Sequence, residues 1–135
     1  MAHPPVRADD SAQMWFYEQH RLLWTWVSEL SRTEIARVIA FRPGDAPDYA
    51  IKRAWPGWGE RWGLTMGSFA CEVGGDFRTR CSKCPLGADY CQQTGGGYQK
   101  FLHSIRAGDL TSFKAAALEI RDAWKKPATK ERDWW

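Results

Sequence analysis

The sequence predicts a mainly α-helical, small single domain with an irregular four-cysteine metal-binding loop between its N-terminal and C-terminal helices. Three observations lead there. Apolar residues recur at intervals of three and four near both ends of the chain. All four cysteines fall between Cys71 and Cys91, in a stretch crowded with glycine and other turn formers. The length, 135 residues, suits one domain whose modest core a metal staple would reinforce.

Residues 1–10 read as a disordered lead-in, 11–126 as the helical domain, 67–97 as the metal loop within it, and 127–135 as a charged tail. From Ser11, Trp15, Gln19, Leu22, Trp26 and Leu30 follow a helical period, and Phe16, Leu23 and Val27 widen the same stripe. Ser31-Arg32-Thr33-Glu34 has the form of a capping box ahead of Ile35, Val38 and Ile39, so a second short helix or a continuation of the first follows. Pro43, Gly44 and Pro47 are expected to end it. Residues 42–70 show no clear periodicity; within them Trp55, Trp58 and Trp62 fall among turn formers. Those rings either cover the core or present a stacking surface to a partner. Two helices are expected after the glycines at 95–97. One spans about 98–107 with Phe101, Leu102 and Ile105 inward. The other spans about 111–126 with Phe113, Ala117, Ile120 and Trp124 inward. Gly108-Asp109 separates them, and Pro127 stops the second. The terminal Trp134-Trp135 pair is unusual in a free tail.

Net charge is +3 and the pI about 8.7, a mildly basic balance that permits nucleic-acid contact without demanding it. Nine tryptophans favour interfaces and large buried areas. No signal-like apolar segment opens the chain and no run is long enough to span a membrane, so the expected compartment is a reducing cytoplasm. Clustered cysteines there act as metal ligands more often than as disulfides.

The spacing is Cys71-x9-Cys81-x2-Cys84-x6-Cys91. Cys81-Ser82-Lys83-Cys84 is a knuckle whose two thiolates reach one ion from a tight turn, and Cys71 and Cys91 complete four sulfur ligands. Four thiolates suit a closed tetrahedral Zn²⁺ site or a [4Fe–4S] cluster. Disulfides, or thiols with no common role, are the remaining alternatives. The single knuckle and Pro85 directly after Cys84 lean toward iron–sulfur, while the closed structural site is the leading reading. Arg78, Arg80 and Lys83 crowd the loop. With Lys100 and Arg106 they either contact phosphates or offset the negative charge of the thiolates, and Glu72, Asp76 and Asp89 balance them locally. His20 and His103 read as ordinary helix histidines, with His103 a remote substitute ligand.

Phe69-Ala70-Cys71-Glu72, the Cys81-to-Leu86 knuckle, Cys91, and Gly97-Tyr98-Gln99-Lys100-Phe101 before an Ala-rich helix reaching Trp124 together resemble a group of small, uncharacterised phage-encoded cysteine-rich proteins. The resemblance covers roughly residues 66–126. It implies zinc binding and a phage or mobile-element origin, and it implies no activity. Where members often carry a further cysteine this chain has Ser68, so it presents one knuckle instead of two. The same knuckle also looks like the iron–sulfur loop of endonuclease-III-like DNA glycosylases. The outer spacings differ, however, and the helix–hairpin–helix and catalytic aspartate region are missing upstream, which reads as loop convergence.

No Ser/His/Asp array, Walker loop, HExxH or dinucleotide fingerprint is present. Gly74-Gly75-Asp76 and the glycines at 95–97 lie outside any βαβ context, and Glu18, Glu29 and Glu34 form a polar helix face. The expectation is therefore a non-enzymatic, metal-stabilised module that contacts a host protein or nucleic acid, with no small-molecule substrate and no membrane. A [4Fe–4S] protein with a redox or DNA-transaction role is the alternative.

Overall fold

The computed structural model describes residues 10–57, 84–87 and 90–124. Among these there are five α-helices and no strand: α1 (Asp10–Ser28), α2 (Arg32–Phe41), α3 (Pro47–Ala54), α4 (Gly97–Ala107) and α5 (Leu110–Ala123). A single 3₁₀ turn, Tyr90–Gln92, precedes α4.

The core forms where α1 meets the α4–α5 pair. Phe16, His20, Leu23, Trp24 and Val27 are the buried face of α1, Leu30 is buried just beyond its end, and Leu22 is 56% exposed. The stripe is thus rotated by about one residue from the Trp15–Gln19–Leu22–Trp26 line that the sequence pattern suggests. Histidine scores as polar in a hydropathy pattern, yet His20 lies on the buried face. The α4 and α5 expectations hold closely. Phe101, Phe113, Ala117, Ile120 and Trp124 are buried, and Leu102 and Ile105 pack against them half-buried. Trp24 meets Phe101 edge-on at 5.0 Å between ring centroids, and Phe101 in turn lies 5.0 Å from Phe113. Such edge-to-face contacts add to the area that the rings bury.

Polar contacts fix the directions. His20 Nε2 lies 2.9 Å from the Ile120 carbonyl, Arg21 pairs with Asp122 at 3.1 Å, and Lys114 Nζ donates to the Ser28 and Leu30 carbonyls. The start of α1 therefore meets the end of α5 and the reverse, so the two helices run antiparallel. Lys114 also supplies a cation to the C-terminal carbonyls of α1, which has no basic residue in its own last turn. Between α4 and α5, Gly108 takes the left-handed conformation (φ 64°) and the Asp109 side chain accepts from the Ser112 amide. That stop-and-start pair is the one the sequence suggests.

α1 and α2 are separate helices. Ser31 caps α2, accepting from the Glu34 amide at 3.1 Å while Glu34 Oε1 accepts from the Ser31 amide at 2.8 Å. α3 lies in the stretch 42–70, where the sequence shows no clear periodicity. Pro47 opens this helix at its first turn instead of ending the previous one, because a proline there gives up no needed amide and has the right φ. α3 buries Ala50, Ile51 and Lys52. Lys52 Nζ donates to Tyr98 Oη at 2.8 Å, and Tyr98 donates to Asp48 Oδ2. This chain of polar contacts ties α3 to the first turn of α4.

Candidate metal centre

Of the four cysteines, Cys84 and Cys91 lie among the described residues, while Cys71 and Cys81 lie outside them. A series of short turns carries the chain from Cys84 to α4. The Gly87 amide donates to the Cys84 carbonyl at 2.9 Å, the Tyr90 amide to Gly87 at 3.0 Å, the Gln93 amide to Tyr90 at 3.2 Å and the Gly96 amide to Gln93 at 2.9 Å. Gly87 sits at φ 124°, a conformation that L side chains rarely adopt, so its glycine is required.

The segment is docked at three points. Cys84 and Leu86 pack, partly buried, against the core. Gln99 Nε2 reaches back from α4 to donate to the Cys91 carbonyl at 2.6 Å. Tyr90 is buried beneath the start of α4, where a Cβ on Gly97 would collide with its hydroxyl. Among the described residues that hydroxyl has no hydrogen-bond partner, with the Gly97 backbone beside it. Burial pushes the Tyr90 phenol up to about 12, with further contributions from the charges of Glu119, Cys91 and Cys84. Both thiols thus lie within electrostatic reach of one buried hydroxyl. Cys84 is half-buried and Cys91 exposed.

Among the described residues no three His, Cys, Asp or Glu side chains gather as a metal site. His103 is exposed on α4, and His20 is buried between α1 and α5 with its pKa lowered to about 4, chiefly by desolvation. Lys100 is paired with Glu119 at 3.0 Å, and Arg106 is exposed. Arg78, Arg80, Lys83, Trp58 and Trp62 lie outside the described residues. Trp55 is half-buried and packs against the core, its ring folded over Gly57. Sequence reasoning passed over Tyr90 and Gly97. The signal available was an aromatic residue directly before the last cysteine, followed by a glycine at the first position of a helix.

No family model matches this chain, and no match appears among curated proteins or solved structures. No helix among the described residues is long and apolar enough to cross a membrane.

Proposed function

We propose that the chain is a metal-stabilised binding module of phage or mobile-element type. In this reading Cys71, Cys81, Cys84 and Cys91 hold one zinc ion, and the domain contacts a host protein or nucleic acid without chemistry of its own. The observation that supports it is the turn-rich segment bearing Cys84 and Cys91, anchored to α4 through the bond from Gln99 to the Cys91 carbonyl. Four thiolates leave zinc no open position, so the ion would organise the loop and not activate water. A glycine-rich segment gains its folding free energy from such an ion. The resemblance to phage cysteine-rich proteins points the same way. The test is thermal unfolding with and without a strong chelator. The expected result is a lower melting temperature after chelation, restored by added zinc and reproduced by Cys84→Ser. An unchanged melting temperature in both arms would count decisively against the reading.

A further inference from the structure

Away from the cysteine loop, α2 and α3 enclose a groove of about 380 Å³ lined by Arg37, Val38, Phe41, Arg42, Arg53 and Ala54. Arg37 and Phe41 are neighbours one turn apart on α2, Val38 adjoins them, and Arg42 is the cap residue at the helix end. α2 buries none of its residues, and Phe41 is 80% exposed. The Arg53 guanidinium lies 5.3 Å from the centre of the Tyr49 ring. Its Nε is enclosed and makes no hydrogen bond among the described residues. Arg42 forms an ion pair with Asp45 at 3.9 Å, beyond hydrogen-bond distance. Arg37 enters no ion pair among the described residues.

We propose that this groove binds single-stranded nucleic acid, with the three guanidiniums on backbone phosphates and Phe41 stacked on a base. Guanidinium forks match phosphate oxygens, and an open aromatic ring beside them is the recurring platform for unpaired bases. An acidic peptide would satisfy the charges but offers no flat face for Phe41, and a duplex hides its base faces. Among the described residues the lining holds no neutral hydrogen-bonding side chain to read a 2′-hydroxyl, so DNA and RNA strands should bind alike. This names the partner class of the binding module proposed above and rests on that reading, but on none of its metal ligands.

Fluorescence anisotropy of labelled deoxythymidine and uridine decamers, titrated with the full chain at several salt concentrations, tests it. Both should bind, with affinity falling as salt rises. Each of Arg37→Ala, Arg42→Ala and Arg53→Ala should reduce the log–log salt slope by about 0.7. Phe41→Ala should weaken binding on the order of tenfold at an unchanged slope, and Phe41→Trp should retain it. Lys100→Ala, in the Glu119 pair on α4, should change nothing. Arg37→Glu, at a fully surface position, keeps the test informative where another variant loses helicity. Absent binding, indifference to these substitutions, preference for duplex, or displacement by polyglutamate without dependence on Phe41 would each overturn the proposal. Metal content of the same preparation separates the two ideas. Zinc without oligonucleotide binding removes only this one, and binding without metal removes only the other.

Discussion

A Cβ on Gly97 would meet the Tyr90 hydroxyl and lie 3.0 Å from Glu119 Oε2, so the docking of the cysteine segment depends on a missing side chain. Gly97→Ala should therefore cost about 1–3 kcal/mol in urea unfolding, although alanine is the better helix former. Tyr90→Phe removes a buried hydroxyl with no hydrogen-bond partner among the described residues and should change stability by no more than about 1 kcal/mol. Combined, the two should recover part of the Gly97→Ala loss, and strict additivity would contradict the contact. His20 gives a second residue-level test. Its folded pKa is about 4 and its unfolded value 6.5, so between those values the unfolded chain binds a proton that the folded one does not. Stability should fall as pH drops from about 6.5 toward 4, by up to about 3 kcal/mol. His20→Gln should flatten that part of the profile relative to the parent, as read by urea melts at each pH. Neither position was legible beforehand. The histidine's role comes from a carbonyl one hundred residues away in sequence, and the glycine's from a hydroxyl across a turn.

At the scale of elements, α1, α4 and α5 were readable because their apolar residues are long-range periodic and their ends carry local chemistry. The Ser31–Glu34 box and the Gly108-Asp109 junction do in the structure what their sequence signatures imply. α3 was not readable. Its eight residues have a mean hydropathy too low to announce a buried face, and Pro47, a stop by its sequence context, is a start in the structure. α3 is held by Ala50 and Ile51 in the core and by polar contacts, Lys52, 4% exposed, and Asp48 both bonding Tyr98 on α4. Tyr98→Phe should leave both groups short of one partner and cost about 1–3 kcal/mol in chemical unfolding. Hydrogen exchange should show protection in α3 falling further than in α5. Equal loss in the two helices would mean that Tyr98 serves the core alone.

For the whole molecule, two halves distant in sequence share one core, and the cysteine segment is fastened to the C-terminal half through Tyr90, Leu86 and Gln99. The helical class and the cysteine cluster were legible from composition and spacing. The groove between α2 and α3 was not, because it requires α3 to exist and Arg53 to come beside Arg37 and Arg42. The central claim is that the cysteines share one zinc ion that organises the segment docked on α4. Its most direct test is elemental analysis of anaerobically purified protein together with a visible spectrum. The account predicts about one zinc per chain and no colour, as for a closed four-thiolate site. About four irons per chain with a broad band near 400 nm, as for a [4Fe–4S] cluster, or no stoichiometric metal at all, would contradict it.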